Sequence, residues 1–495
     1  MRSLRHLPQS GLTAYVMAAL LFILPATAGA ASFDDALKAY SEKDFQTALE
    51  IYKTLAEQGN SRAQNNLANM YDTGTGVDQD LSLAAGWYQK AAEQDHQIAQ
   101  YNLGNMYDVG QGVPQDFDEA KKWYSRAAEG GSPKAQHYLG IMYDRGKGVD
   151  KDPEEAAEWY QKAAEQGYDK AQFDLGRMYS IGEGVSKDPL QAAKWFLKAA
   201  EQGHAKAQFK LGNMYDSGEG VERNLKEAAK WYKKAADKGL PRAQFNIGNM
   251  YDFGEGIEQD HKQAVEWYTQ AAEQGHASAQ NSLGHMYDRG QGVTKDLKTA
   301  ADWYSKAAEQ GHKLAQYNLA TLYFSGQGIE QNHSLAMSWY TKAAEQGHTS
   351  SQNTLGLMFD QGRGVTKNLT AAAQWYQKAA EGGLARAQYN LASMYENGEG
   401  VKQDYVTASE WYQKAADQGY GQAQNSLGTL YHQGKGVAQD LVKAHMWYTL
   451  AMAQLEDGTH KERAVKNLGN ITRHMNPQQV SEAEQLASTW KAVTH

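Results

Sequence analysis

Apolar residues along this chain repeat with two periods at once. Locally they fall at helical spacing: Ala207, Leu211, Met214 and Tyr215 stand at i, i+4, i+7 and i+8, and Ala228, Trp231, Tyr232 and Ala235 at i, i+3, i+4 and i+7. Lys226, Lys230, Lys233 and Asp237 take the opposite side of the second segment. Each block thus predicts two amphipathic helices, A then B, and neither can bury its apolar face without a neighbour. The longer period is 36 residues. Trp recurs at 87, 123, 159, 195, 231, 267, 303, 339, 375, 411 and 447, and Tyr follows it every time except at Phe196. An earlier copy has Ile51-Tyr52 in place of Trp-Tyr. A fixed period of this size predicts an all-α fold, an α/α superhelical solenoid of about 12–13 helix pairs held by neighbour contacts, in place of separate globular domains. The Trp-Tyr pairs lie on the same face as the recurring Ala and are expected in the core.

Punctuation agrees with the pattern. A Gly-x-Gly-Val/Ile loop, as in Gly218-Glu219-Gly220-Val221, follows helix A, where a left-handed residue is expected. Another Gly follows helix B from Gly59 to Gly419, replaced only by Asp95, a residue that tolerates positive φ better than most. A further Gly lies inside helix A at 104, 140, 176, 212, 248, 284, 356 and 428, with Ala68, Ala320 and Ala392 as its substitutes. Gly costs about 1 kcal/mol there relative to Ala, so the position predicts close helix–helix contact. Asp or Asn precedes every helix B from Asp80 to Asp440 as an N-cap. The resulting plan is a leader over 1–30, an N-terminal capping helix pair over 31–60, eleven repeats over 61–455 and C-terminal capping helices over 456–495. Helices are expected at 34–41, 44–57, 461–474 and 478–490.

The first 30 residues carry a different signal. Arg2 and Arg5 precede an apolar run from Ala14 to Leu24, and Pro25 leads to Ala28-Gly29-Ala30, the pattern of a secretory signal cleaved after Ala30. The run is too short for a comfortable membrane span, so no membrane insertion is expected after cleavage. Net charge is −9, or −11 once the two arginines are removed. A mildly acidic, mixed surface excludes nucleic acid as a natural partner. With no Cys there is no disulfide and no thiolate metal site, and export without Cys points to a bacterial periplasm or a secreted bacterial protein.

The repeated core Ala207-Gln208-x-x-Leu211-Gly212-x-Met214-Tyr215-x-x-Gly218-x-Gly220-Val221, followed by Ala228-x-x-Trp231-Tyr232-x-x-Ala235-Ala236-x-x-Gly239, resembles the Sel-1-like repeat, a relative of the tetratricopeptide repeat. The resemblance covers 61–450 clearly and 34–60 and 461–491 more loosely. It implies an adaptor, scaffold or receptor built as an α/α solenoid. It also implies a role in envelope assembly, signalling or host contact for exported bacterial members. Cysteine-rich secreted relatives imply a penicillin-binding or β-lactamase-like alternative, from which a chain without Cys departs.

Candidate chemistry is sparse. Asp72, Asp108, Asp144, Asp216, Asp252, Asp288 and Asp360 open a loop whose next positions are glycines, Gly110 and Gly112 after Asp108, so an EF-hand ligand set is missing. An Asp bonded to the backbone of its own Gly loop is expected instead. His96, His204, His276, His312 and His348 share one position at the entry to helix A, too far apart for one metal, and are expected to be solvated. The one Ser-x-x-Lys, Ser488-Thr489-Trp490-Lys491, has no companion motif. No catalytic residue, cofactor or metal site is assigned.

What varies is the face of helix A away from the core: the two residues after Ala-Gln, the one after Leu-Gly and the two after Met-Tyr. In tetratricopeptide-like solenoids this face lines the concave groove. Asn66, Asn69, Tyr101, Asn102, Asn105, Phe209, Lys210, Asn213, Phe245, Asn246, Asn249, Tyr317, Asn318, Tyr389 and Asn390 are the candidate binding residues. Asn offers a donor and an acceptor to an extended backbone, and interleaved aromatics supply apolar contact. A protein or extended peptide is the expected partner, with glycan binding on the aromatic row as the alternative.

Overall fold

The computed structural model describes residues 31–493, and the secretory leader expected over 1–30 lies outside them. The described residues form twenty-six α-helices and no strand. They divide into two compact units, one up to His204 and one from Ala205 onward. The first runs from helix Phe33–Ser41 to helix Pro189–Glu201, the second from Ala205–Ser217 to Pro477–Thr489. Within each unit, helices pair A with B and every B packs on the A that follows, the order of an α/α solenoid.

The repeat over 241–276 shows why the chain folds this way. Helix A, Pro241–Phe253, starts with Pro at its first position, where no amide is missed. It stops at Gly254, whose φ of 72° is the left-handed C-cap that the Gly loop predicts. The loop closes through Asp260 N–H on Tyr251 O at 2.8 Å. Asp260 then caps helix B, His261–Glu273, by accepting from the amides of Lys262 and Gln263 at 2.9 and 3.1 Å. After helix B the chain turns at Gly275. At the one turn without Gly, Asp95 adopts φ 58°.

Two glycines set distances between helices. A Cβ on Gly248 would sit 2.7 Å from Cδ1 of Tyr268, so helix A is hollowed to seat the helix B ring. A Cβ on Gly256 would lie 2.4 Å from the Leu225 backbone, so the loop rests on the start of helix B of the preceding repeat.

The Trp-Tyr ladder divides in two. The tyrosines are the core: Tyr88, Tyr124, Tyr160, Tyr232, Tyr268, Tyr304, Tyr376, Tyr412 and Tyr448 are fully buried among alanines. Only Trp123, Trp231, Trp267 and Trp447 are buried; the other indoles of the ladder are half-buried. The Lys one turn further along lies over the ring, from 3.8 Å at Lys306 on Trp303 to 4.2 Å at Lys378 on Trp375. The position thus forms the rim of the core.

A second ladder is polar and buried. Gln244 Nε2 donates to Ala236 O at 3.3 Å, and its Oε1 accepts from Gln274 Nε2 at 2.7 Å. Gln280 does the same with Ala272 O and Gln310. A buried amide is costly unless both ends are bonded, and here both are. At the C-terminus, helices Thr459–Thr472 and Pro477–Thr489 fold back on Leu441–Gln454, with Trp490 edge-on to Trp447 and Val493 N–H on Asp417 O at 2.8 Å.

Candidate functional site

The variable face of helix A is built around the hydroxyls of the buried tyrosines. The aromatic after Ala-Gln leans on the helix B Tyr of its own repeat. Ring centroids are 5.9 Å apart for Tyr101–Tyr124, Phe209–Tyr232 and Phe245–Tyr268, 5.8 Å for Tyr317–Tyr340 and 5.7 Å for Tyr389–Tyr412. These five rings are half-buried, so each serves the core and the face together. Asn213 and Asn249 accept the Tyr232 and Tyr268 hydroxyls at 2.8 and 2.7 Å. Asn69 and Asn102 flank the Tyr88 hydroxyl, Asn66 stands by Tyr52, and Asn246 by Tyr232. Other amides bridge repeats, Asn318 Nδ2 to Asn281 Oδ1 at 3.2 Å and Asn390 Nδ2 to Asn353 Oδ1 at 3.1 Å. Asn105 is half-buried and Lys210 exposed.

In several repeats the carboxylate after Met-Tyr turns inward to the same hydroxyl, not onto its own Gly loop as the sequence suggests; Asp108 pairs with Lys147 instead. Asp252 Oδ2 is 3.3 Å from the Tyr268 hydroxyl, and Glu396 Oε2 is 2.7 Å from that of Tyr412. A side chain holds the loop instead, Gln259 Nε2 donating to Asp252 O at 2.7 Å. Burial first, and the adjacent carboxylate second, push the Tyr268 hydroxyl far above its ordinary range. Tyr340, with Thr321 beside it, is pushed up by burial to about 12. These hydroxyls stay protonated and act as structural donors.

Lateral ion pairs and one imidazole–carboxylate hydrogen bond join the repeats of the first unit. Arg177 reaches Asp144 at 2.6 Å, Lys147 reaches Asp108 at 2.5 Å, and buried His137 lies 2.8 Å from Asp174. Their partners are separated by roughly one period, and that spacing is the signal that finds them.

Four of the entry histidines, His96, His276, His312 and His348, are N-caps, half-buried instead of solvated. Nδ1 of His96 and His276 accepts the amide of Ala99 and Ala279 at 3.2 Å, and His312 and His348 accept at 3.3 Å. His276 also packs on Phe245 at 5.0 Å and His348 on Tyr317 at 4.6 Å. Burial pulls all four below the ordinary 6.5, which favours the neutral ring that a cap acceptor needs.

Two cavities open on this face. In the first unit about 140 Å³ is lined by Leu37, Tyr40, Tyr52, Asn66 and Asn69. In the second about 350 Å³ lies among Asn249, Phe253, Asn281, Ser282, His285 and Arg289. Asn66, Asn69 and Asn249 are brought into cavities; the remaining candidates lie on their own A helices outside these two. Phe253 and Arg289 were not among the candidates, although both are second after Met-Tyr, a position the helical wheel assigns to this face. Elsewhere, Ser488 is exposed and its hydroxyl donates to Gln485 O at 2.8 Å within the last helix. Among the described residues no group of three His, Asp or Glu side chains is placed to hold a metal ion, and no helix is long and apolar enough to cross a membrane.

Paired helices, a polar seam and shallow clefts define a repeat scaffold of the kind typical of protein–protein interaction. The Sel1 repeat model matches residues 38–60 and then each period from 61–96 to 421–454, so the chain belongs to the Sel1-repeat family. A protective antigen present in uropathogenic Escherichia coli strains displaying an SLR fold is 40% identical, with a TM-score of 0.83 over 89% of this chain and 94% of that one. A Sel1 repeat protein from Oxalobacter formigenes is 36% identical, with a TM-score of 0.52 over 62% of this chain and 89% of that one. No curated protein matches.

Proposed function

We propose that this chain is a non-enzymatic interaction scaffold or receptor of the bacterial envelope, exported to the periplasm or beyond, that binds a protein or extended peptide along the helix A face. The supporting observation is that this face combines variable residues, half-buried aromatics and amide side chains with clefts of 140 and 350 Å³. Likeness to a protective antigen of a pathogen supports export and contact with a host. The test replaces residues with ones that other repeats already carry at the same positions: Phe245→Asn, Asn246→Ser and Asn249→Thr, after Asn281, Ser282 and Thr321. Thr321 Oγ1 lies 3.1 Å from the Tyr340 hydroxyl, so Thr at 249 keeps the core tyrosine partnered. Crosslinking in intact cells should recover a partner with the natural chain and lose it with the triple variant, at unchanged helical circular dichroism. Equal recovery would remove this face from the binding role.

A further inference from the structure

The cavity in the second unit has a chemical polarity of its own. On one wall Phe253 is 68% exposed, the most open of the large apolar side chains. On the other, Arg289 is exposed and makes no ion pair or hydrogen bond among the described residues. The nearby carboxylates are engaged. Asp252 holds the Tyr268 hydroxyl and His261 Nδ1, the latter at 2.9 Å, and Asp288 stands against the Tyr304 hydroxyl. His285 is half-buried, and burial lowers it from the ordinary 6.5, so it adds little charge near neutrality. Asn281 gives its Oδ1 to Asn318, which leaves its own N–H groups to the cavity. The unspent capacity is therefore one guanidinium, amide donors and one aromatic face. Because Asp252 lines the cavity and Asp288 acts on His285 beside it, this capacity suits a ligand that sets a single carboxylate on the Arg289 guanidinium with an apolar group next to it.

Spacing narrows the ligand further. Phe253 and Arg289 hold the same position in successive A helices, which come close enough elsewhere in this unit for Asn318 Nδ2 to reach Asn281 Oδ1 at 3.2 Å, so the step is taken as roughly 8–10 Å. An extended peptide covers that distance in about three residues at ~3.3 Å each. Resting on the groove reading above, we propose that this cavity is a subsite for an extended segment of a protein partner that places an apolar or aromatic side chain on Phe253 and, three residues away, an Asp or Glu on Arg289.

Fluorescence anisotropy on the full chain tests this with labelled decapeptides that carry Phe and Asp three residues apart, in either order, on an Ser/Ala background. Matched peptides carry Asn or Lys in place of Asp, or bring Phe and Asp together. One order of the spaced Phe/Asp peptide should bind, and the Asn peptide should bind about tenfold more weakly, as for a charge-assisted contact. Arg289→Gln should erase that difference, and Phe253→Ser should weaken both peptides. Gln at 361 and 433 and Ser at 217 and 325 already occupy this position in other repeats, so neither variant challenges the fold. Equal binding of the Asn or Lys peptide, a preference unmoved by Arg289→Gln, or no binding by any peptide would overturn the subsite. The groove reading would then still stand or fall separately, on partner recovery with the triple variant.

Discussion

A neutral imidazole is an unusual helix cap, and four of them tie stability to acid. His96, His276, His312 and His348 accept an amide through Nδ1, so protonation removes the acceptor. Burial lowers each below its ordinary 6.5, so the folded chain binds fewer protons than the unfolded one just under that pH. Their contribution is complete above 6.5 and is lost as pH falls through the folded values. Urea midpoints should therefore drop from about pH 7.5 to about pH 5, and the fourfold His→Asn variant, whose caps do not titrate, should flatten that drop. An unchanged slope would mean that other groups set the acid response. The mid-helix glycines give a second residue-scale test. Ala stands at 68, 320 and 392, so Gly248→Ala should shift stability by no more than ~1 kcal/mol. Gly248→Leu, driven into the Tyr268 ring, should cost ~1–3 kcal/mol or more in chemical denaturation.

Between elements, the buried glutamines decide how helix B is tied to the helix A on either side of it. At Gln352 the tie is incomplete: its Oε1 is buried without a partner, and Gly382 occupies the place where other repeats supply a Gln. A side chain at 382 would first meet Thr349 Cγ2. The double variant Thr349→Ala with Gly382→Gln should complete the ladder and raise stability by ~1 kcal/mol, read from the urea midpoint. No gain would mean that the amide is already satisfied by water. Helix pairs, caps and the left-handed glycines were legible in the sequence because each depends on residues within one turn of one another. The division of Trp from Tyr was not, since both are large, aromatic and adjacent on one helix face. Nor was the inward turn of Asp252, whose competing partners, its own loop and a hydroxyl sixteen residues on, look alike until helix B is placed. The wheel found the face that holds Phe253 and Arg289 but not the cavity, which needs two repeats side by side.

At the scale of the whole chain, the interfaces between full repeats inside a unit are made by the same few residues. Removing one full period, 277–312, brings Gly328 onto His261 as Gly292 now sits, and leaves the glutamine and glycine contacts in register. That deletion should retain cooperative unfolding with helical content reduced by about one repeat, whereas loss of half a period should abolish it. Thermal circular dichroism distinguishes the two. The rim of half-buried indoles under lysine ammonium groups has an optical consequence. Most of the chain's tryptophans occupy near-identical surroundings, so their emission will behave almost as that of a single fluorophore. None of them lines the Phe253–Arg289 cavity. Intrinsic fluorescence will thus report the melting of the array faithfully and stay dark to a ligand on the helix A face, where a reporter has to be carried by the ligand itself.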